Sequence, residues 1–463
     1  MLEPDFPIPD SLMASHQSPV SSHANALRRE LGIFSCTLMV VGGIIGSGIF
    51  FTPAEVARAL PTGGWILAVW AIGGVVALAG ALAYAELGAM MPDAGGAYVY
   101  IREAFGPLAA FLCGWMTLLM ISTGALAAVA MGFSGYVERY VDLEPLGGRT
   151  GMATLTILVL GVTNYIGVKP GAALQNALTV AKIVALGALI VAGFALWNKV
   201  GAPLPVADAP PARASIFSGF AAAFVAVLFT IGGWQQLNMV AGEIKRPERT
   251  IPRALTLGIA IVIAIYLGAN AVYVHVLGRD GLAASAAVAA DTAVRLVGPT
   301  GGTLITVGAM LSILGFVNVV LLGNSRIPFA MARDGAFLSA AGRIHPRYRT
   351  PHVAIGIMVV WSLVLLYGTR GEIGSLLSGV VFADWIFFGL GGASVFVLRK
   401  TRPEAARPYR SLGYPLLPAL FVVAAAVGIV SAYVAAPKTS LFGTGLLLTG
   451  VVVHFATRKR SAG

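Results

Sequence analysis

Two apolar segments of this chain are interrupted by closely spaced glycines, the first within residues 41–50 and the second within residues 229–234. A helix inside a bilayer must satisfy its own backbone hydrogen bonds, so an unwound stretch is tolerated only where it faces protein or a wet cavity. The free backbone amides and carbonyls at such a break can bind a polar ligand directly. The expected chemistry is therefore recognition of a small charged molecule.

The first break contains Gly46-Ser47-Gly48. If the helix opens there, a second half-helix begins near Ile49 with free N–H groups and a positive dipole end, which together bind a carboxylate. The preceding half-helix ends near Ile44 and leaves carbonyls that accept hydrogen bonds from an ammonium group. The second break adds carbonyls of the same kind. The expected binding residues are Ile44, Ile45, Gly46, Ser47, Gly48, Phe229, Thr230, Ile231 and Gly232.

The backbone N–H groups can bind a carboxylate, and the carbonyls facing them can bind an ammonium. Together they form a receptor for an α-amino acid zwitterion. The alternative is that these glycines only permit close helix packing, as small-xxx-small motifs do. Two breaks, each early in its half of the chain, favour a substrate site in a transporter with internal repeats. The ring of Phe229, just before the second break, is expected to close over the ligand as a gate, although core packing is the usual role of phenylalanine.

Ionisable residues also lie within apolar segments. Lys182 follows Pro170 by about 12 residues, which places it ~18 Å into its span at roughly 1.5 Å per residue. An intramembrane lysine has a partner and faces protein or water, so Lys182 is expected to replace a bound cation or to carry a proton in coupling. Asp384 is expected to pair with a substrate amine, hold a proton or make a structural hydrogen bond, with Trp385 a weaker candidate for ligand contact. Glu86, near the cytoplasmic end of the second span, is expected to make an ion pair or a helix contact.

The composition indicates a membrane protein. The chain has 463 residues, 57% of them hydrophobic and 11% charged, and a mean hydropathy of +0.83. A soluble protein has about 25% charged residues, and a spanning helix needs roughly 20 apolar ones. About twelve such segments are predicted. The predicted spans are residues 33–58, 62–91, 106–136, 150–168, 171–197, 215–241, 253–278, 300–330, 352–368, 373–398, 414–435 and 440–457.

The formal net charge of +11 is explained by topology. Most Lys and Arg residues fall on one side of the predicted spans, which indicates cytoplasmic loops and cytoplasmic termini in the plasma (inner) membrane rather than nucleic-acid binding. Residues 1–30 are polar and are expected to be a cytoplasmic tail. The charged segments 243–249 and 332–335 are expected to be solvated loop networks.

Cys36 and Cys113 are interpreted as core residues, and no cofactor or metal site is expected.

One integral, all-α domain is the simplest organisation. Two halves of five spans have opposite orientations, so the repeat is expected to be inverted. The predicted units are a transport core over 31–411, with repeat one over about 31–197 and repeat two over about 214–398, and two peripheral helices with a short tail over 412–463. The loop 279–299 is expected to form a short interfacial helix.

Residues 42–53, Gly-Gly-Ile-Ile-Gly-Ser-Gly-Ile-Phe-Phe-Thr-Pro, resemble the first span of the amino acid–polyamine–organocation superfamily. The match extends over nearly the whole chain after residue 30, and several motifs resemble the L-type amino acid transporter branch. The further matching segments are 84–87, 95–98, 229–235, 243–247, 251–253, 266–270, 398–404 and 407–410.

This resemblance implies a five-plus-five inverted repeat with discontinuous helices 1 and 6, the LeuT-like fold of sodium-coupled neurotransmitter transporters. It implies that Phe229 acts as a gate and that Lys182 takes the place of a sodium ion. The family positions that hold the substrate carboxylate match Gly46, Ser47 and Gly48, and those on the amine side match Ile44, Phe229 and Gly232.

Two departures from the family pattern affect the expected partners and substrates. The loop at about 137–150 has no cysteine, so no disulfide-linked heavy chain is expected, and Asp384 stands where the family is usually uncharged. We expect a sodium-independent secondary transporter of L-amino acids in the lipid bilayer, functional as a monomer and not an enzyme. It would exchange amino acids or couple their uptake to protons. The alternatives are a cationic amino acid or polyamine carrier and a non-transporting amino acid sensor.

Overall fold

The structure is a computed structural model that describes residues 27–203, 215–369, 374–435 and 437–460. These residues form helices joined by turns, with one isolated bridge between Leu31 and Ile244. The predicted all-α class is confirmed for this part of the chain. Most of the predicted N-terminal tail lies outside the described residues.

The first half of the described chain forms eight α-helices. They are α1 (Ile33–Ile44), α2 (Gly48–Ala59), α3 (Gly63–Met90), α4 (Ala97–Phe105), α5 (Pro107–Met116), α6 (Ser122–Val137), α7 (Gly148–Ile166) and α8 (Val168–Ala195). A π-helical turn, Thr117–Ile121, joins α5 to α6 within the predicted span 106–136. Such turns re-aim side chains and are frequent at functional sites.

The second half contributes ten more α-helices among the described residues. They are α9 (Ile216–Thr230), α10 (Gln236–Met239), α11 (Pro247–Ala284), α12 (Val288–Val297), α13 (Pro299–Asn324), α14 (Arg326–Arg333), α15 (His352–Gly368), α16 (Gly374–Thr401), α17 (Leu416–Ala435) and α18 (Pro437–Arg460). The helix expected in the loop 279–299 is present as α12.

Eight helical segments of the described chain are long and apolar enough to cross a membrane, and α9 and α15 are shorter apolar helices. The chain is therefore a multi-pass membrane protein. The predicted span 352–368 coincides with α15. The predicted span 215–241 is helical only to Thr230 before the chain unwinds, because two glycines follow within three residues.

The core of the bundle lies around α1, which packs against α8, α11 and α13. A helix that is apolar on all sides lies in a protein core or in a bilayer, and α1 lies in the core, because it is buried from Cys36 to Ile44. Next to it, α3 lies along α11, where the rings of Trp70 and Tyr266 meet edge to face at 5.4 Å. The end of α1 is thus held in the middle of the protein. Outside this core, α17 packs on α16 and α3.

Candidate functional site

The first helix break separates α1 from α2 across residues 45–47. The N–H of Gly46 turns back to donate to the carbonyl of Ile44 at 2.8 Å, and the N–H of Phe50 donates to the carbonyl of Ser47 at 3.0 Å. The other amides of the first turn of α2 have no acceptor within the helix. The interruption lies where the sequence predicts it, with α2 beginning at Gly48 rather than near Ile49.

The second helix break separates α9, which ends at Thr230, from α10, which begins at Gln236. Gly233 has a φ of 105°, which glycine adopts without the strain that a side chain would impose. Its N–H donates to Oε1 of Gln235 at 2.9 Å, so a side chain from the break itself closes the turn. This break is wider than the first and extends one residue beyond the predicted segment 229–234.

The two breaks pack directly against each other. A Cβ atom on Gly43 would lie 2.6 Å from the carbonyl oxygen of Gly233, and one on Gly48 would lie 2.6 Å from Cγ2 of Thr230. The hydroxyls of Thr52 and Thr230 share a hydrogen bond of 2.7 Å. Glycine is therefore needed at Gly43, where the two main chains approach too closely for a side chain, and at Gly48 the Thr230 side chain occupies the space that a Cβ would take.

Lys182 binds the carbonyl groups behind the first break. Its Nζ donates to the carbonyl oxygen of Ile45 at 2.6 Å and to those of Gly42 and Ser312 at 3.2 Å. The Ser312 hydroxyl lies 2.9 Å from the carbonyl oxygen of Ile45 and 3.0 Å from that of Gly46. Lys182 is fully buried, as a lysine with partners inside an apolar span is expected to be.

Tyr266 connects the two breaks. Its hydroxyl lies 3.1 Å from the carbonyl oxygen of Ile44 and 3.4 Å from that of Thr230, and it donates towards both. One side chain from α11 therefore contacts the end of both α1 and α9. The sequence does not identify Tyr266 or Ser312 as site residues, because both reach the break from other helices and only the fold brings them there.

A cavity of about 280 Å³ lies against both breaks. Small-molecule sites occupy roughly 300–1,000 Å³, so this cavity suits a ligand at the small end of that range. The expected binding residues that line it are Ile44, Gly46, Ser47, Gly48, Phe229, Thr230 and Gly232, together with Asp384 and Trp385. Among its described lining residues, Asp384 is the one with a charged side chain.

Two of the expected binding residues, Ile45 and Ile231, do not line this cavity in the described part of the chain. Both side chains are buried, and the Ile45 carbonyl already accepts from Lys182 and Ser312. Phe229 is far more exposed than the next residue, Thr230: the exposed fractions are 57% and 4%. The Phe229 ring therefore borders open space beside the second break.

The expectation of a solvated network at 243–249 is wrong for Glu243. Its carboxylate accepts two hydrogen bonds of 2.8 Å from Arg326, and the two side chains are 1% and 0% exposed. The Glu243 carbonyl also accepts from the N–H groups of Glu30 and Leu31 at 2.8 and 2.9 Å. The sequence reasoning missed this pair because its partners are 83 residues apart.

A partly exposed ionic cluster surrounds α4 and includes the segment 332–335. Asp334 accepts from the hydroxyl of Tyr98 at 2.9 Å and from Arg102. Partial burial acts to raise the pKa of the Glu103 carboxyl, but hydrogen bonds from Arg402 and Arg102 outweigh it, so this pKa is lowered. These contacts tie α4 to two later segments of the chain, one at Asp334 and one at Arg402.

The expected ion pair of Glu86 is confirmed. Its carboxylate oxygens accept from Nε and Nη2 of Arg399 at 2.9 and 2.7 Å, and Arg407 lies 3.5 Å away. The N–H of Ser411 adds a third donor at 2.7 Å. The carboxylate is buried at the end of α3, and these donors compensate its charge.

Interrupted helices around one ligand-sized cavity define a membrane protein with a central polar site. The model of the family described as amino acid permease matches residues 31–455, and the chain belongs to that family, in the amino acid–polyamine–organocation superfamily. The chain is 31% identical to the serine/threonine exchanger SteT of Bacillus subtilis over 447 residues, which cover 95% of this chain and 99% of that protein.

Human relatives are similar at the same level. The chain is 32% identical to the large neutral amino acids transporter small subunit 2 of Homo sapiens over 93% of this chain and 80% of that protein. It is 31% identical to the human b(0,+)-type amino acid transporter 1 over 93% of this chain and 88% of that protein. The family and these relatives are transporters rather than enzymes, and they support amino acid transport by this chain.

Proposed function

We propose that the chain is a sodium-independent secondary transporter of L-amino acids that exchanges them across the plasma membrane by alternating access. The observation that carries this proposal is that two helix breaks border one cavity while a buried ammonium binds the carbonyls behind the first break. Names of relatives add support, because one is called an exchanger and others amino acid transporters. Proton-coupled uptake is the alternative mode.

The substrate carboxylate binds at the start of α2. The first-turn amides near Gly48 carry the positive end of the helix dipole, and the Ser47 hydroxyl adds a further donor. The α-ammonium binds carbonyls of the α1 and α9 ends. A carbonyl oxygen has two lone pairs, so Ile44 can accept from an ammonium as well as from Tyr266, whereas the Ile45 carbonyl is occupied by two protein donors.

Phe229 is the gate in this proposal. Its exposed ring lies at the second break and borders the cavity, so a small rotation would bring it over a bound ligand. Lys182 provides the coupling element, because its ammonium supplies positive charge to main-chain carbonyls without a sodium ion. Sodium independence follows from a charge that is covalently part of the protein.

The proposal extends to the architecture of the chain. Twelve spans form a LeuT-like inverted repeat of residues 31–197 and 214–398 within a core over 31–411, followed by two peripheral helices over 412–463. The positions of the breaks, at the first helix of each half, support the repeat. Both termini are cytoplasmic, as the distribution of basic residues favours. The chain works as a monomer in this proposal. No disulfide-linked heavy chain is expected, since Cys36 and Cys113 are both buried.

The test uses the purified chain in proteoliposomes. Uptake of labelled alanine, leucine and arginine is measured with and without unlabelled amino acid inside, and with choline in place of sodium. The exchange proposal expects internal amino acid to raise uptake of at least one of them tenfold or more, with no effect of sodium. Protein-free liposomes provide the control.

Three outcomes would contradict this proposal. Uptake that ignores internal amino acid and follows a pH gradient means proton coupling. Binding of amino acid without any movement means a sensor. Transport of a diamine that has no carboxylate, such as putrescine, in preference to amino acids means a polyamine carrier that does not use the amides at Gly48.

A further inference from the structure

The loop between α14 and α15, residues 343–351, is closed by a histidine ring. Nδ1 of His345 accepts from the N–H of Arg347 at 3.2 Å and from that of Tyr348 at 3.1 Å. Because both partners are donors, Nδ1 carries no proton, and the ring is neutral with its one proton on Nε2. The N–H of Arg349 adds to the closure by donating to the carbonyl of His345 at 2.9 Å. The closed form of the loop therefore contains a neutral His345.

A cluster of four aromatic rings attaches this loop to α7 and α15. Between ring centroids, His345 lies 5.4 Å from Tyr165 near the end of α7 and 5.2 Å from His352 at the start of α15. It also stacks on Tyr348 at 4.6 Å. The Thr350 hydroxyl donates to the carbonyl of Tyr165 at 2.8 Å. The ring that closes the loop thus also packs it against both helices.

The charged groups of the loop are all positive. They are Arg343, Arg347 and Arg349, and the Arg347 guanidinium lies 5.6 Å from the centre of the Tyr348 ring. The titratable groups that face His345 from the packed helices are the other rings of the cluster, and among the described residues no carboxylate pairs with either histidine. A second proton on His345 would add positive charge beside these arginines and replace the acceptor at Nδ1 with a donor. Protonation therefore opposes the closed loop.

The loop is connected to the cavity through α14. Ile327 of α14 lines the cavity, and the 3-10 turn Ser339–Gly342, which leads into the loop, packs on both α14 and α15. Opening of the loop would release one end of this turn and remove support from α14 beside the site. Under the proposed topology, the loop faces the cytoplasm.

We propose that the 343–351 loop is a pH-sensitive switch, in which protonation of His345 opens the loop and slows transport. Histidine gains its proton within the physiological pH range, and a loop that contains the neutral ring loses stability as the pH falls. At pH 5.5, one unit below the ordinary histidine value of about 6.5, only about one ring in ten is neutral. Amino acid exchange should therefore fall about tenfold between pH 7.5 and pH 5.5. This inference rests on the proposed function, because it assumes that the chain transports.

The test is His345→Asn. The Oδ1 of asparagine is bonded to the γ-carbon, as Nδ1 of histidine is, so it can accept the same two N–H groups without titrating. Exchange is measured in proteoliposomes at pH 7.5 and at pH 5.5, with the same pH on both sides, so that no proton gradient contributes and the orientation of the protein does not matter. We expect wild-type exchange to fall about tenfold and exchange by His345→Asn to change less than about twofold.

His275→Gln is the control. Nε2 of His275 donates to the carbonyl of Trp197 at 2.9 Å, outside the loop, and glutamine keeps a donor at that position. This variant should show the same loss of exchange in acid as the wild type.

Hydrogen exchange measures the loop itself, independently of transport. After correction for intrinsic rates, the wild-type amides of residues 345–352 should be protected at pH 7.5 and lose protection at pH 5.5, whereas those of His345→Asn stay protected. The inference is overturned if wild-type protection does not change with pH, if measurable wild-type exchange does not fall in acid, or if His345→Asn keeps the full pH dependence. The two wild-type results decide it even if the variant does not fold. A protein whose loop opens in acid but which moves no amino acid at any pH retains the pH-sensitive loop and loses the proposed function.

Discussion

The two helix breaks are held open in different ways. At the first break, the carbonyls of Ile44 and Ile45 accept hydrogen bonds from side chains of α8, α11 and α13. At the second break, the turn is made by Gly233 at positive φ and closed by the side chain of Gln235, two residues further on. The first break is thus fixed by its neighbours, whereas the second is shaped by its own residues.

Because of this difference, substitutions at the two breaks should have different effects. A change in the side chains around the first break removes hydrogen bonds from carbonyls at the ligand site and leaves the glycine backbone intact. A change of glycine at the second break strains the main chain and presses it against the first break. Variants at the first break should therefore impair transport, and those at the second should impair folding.

Lys182→Met should give the largest effect on transport. It leaves three carbonyl oxygens without their ammonium donor and removes the charge that replaces a cation. We expect exchange in proteoliposomes to fall at least 100-fold, about 2.7 kcal/mol, while membrane insertion and elution as a single species are retained. Lys169→Met is the control, because that side chain is 71% exposed. Normal exchange by Lys182→Met would show that the first break does not depend on its neighbours.

Gly233→Ala should destabilise the protein by about 1–3 kcal/mol through its positive φ, with a further penalty because its Cβ would meet the carbonyl of Gly43. The readouts are the Tm in detergent and the yield of monodisperse protein. Gly356→Ala on α15 provides the matched control, since a Cβ there meets no atom within 4 Å. Equal Tm values for the two variants would mean that the second break does not require glycine.

Tyr266→Phe should give a smaller effect that falls on both breaks. It removes the hydroxyl that contacts the carbonyls of Ile44 and Thr230, a change of about 0.5–1.5 kcal/mol. We expect substrate affinity, measured by thermal shift titration, to weaken roughly three- to tenfold. Tyr273→Phe on the same helix is the control, because the Tyr273 hydroxyl is buried without a partner among the described residues. If both variants bind equally well, the bridge between the breaks contributes nothing.

The sequence predicts where both breaks lie because closely spaced glycines interrupt an apolar segment early in each half of the chain, although Gly73 and Gly74 lie inside the intact helix α3 and show that paired glycines alone do not break a helix. The end of α1 at Ile44 and the burial of Lys182 follow from local composition and span length. The second break extends beyond its predicted residues because the side chain of Gln235 closes it, an interaction that no glycine pattern encodes.

Long-range partners could not be predicted from one sequence. The expectation of a solvated Glu243 is wrong because Arg326, the first residue of α14, pairs with it across 83 residues of sequence, a contact that only the fold creates. Gln236 and Asn324 line the cavity but are not predicted from the sequence, because their helices α10 and α13 meet there only in the folded chain.

The central claim is that main-chain amides at the first break bind the substrate carboxylate. The most direct measurement is a cryo-EM map of the wild-type chain in nanodiscs with a saturating amino acid substrate. The account predicts ligand density in the cavity with its carboxylate within about 3.2 Å of the amide nitrogens at Ser47 and Gly48. Density for the ligand elsewhere, or a continuous helix from α1 through α2, would contradict it.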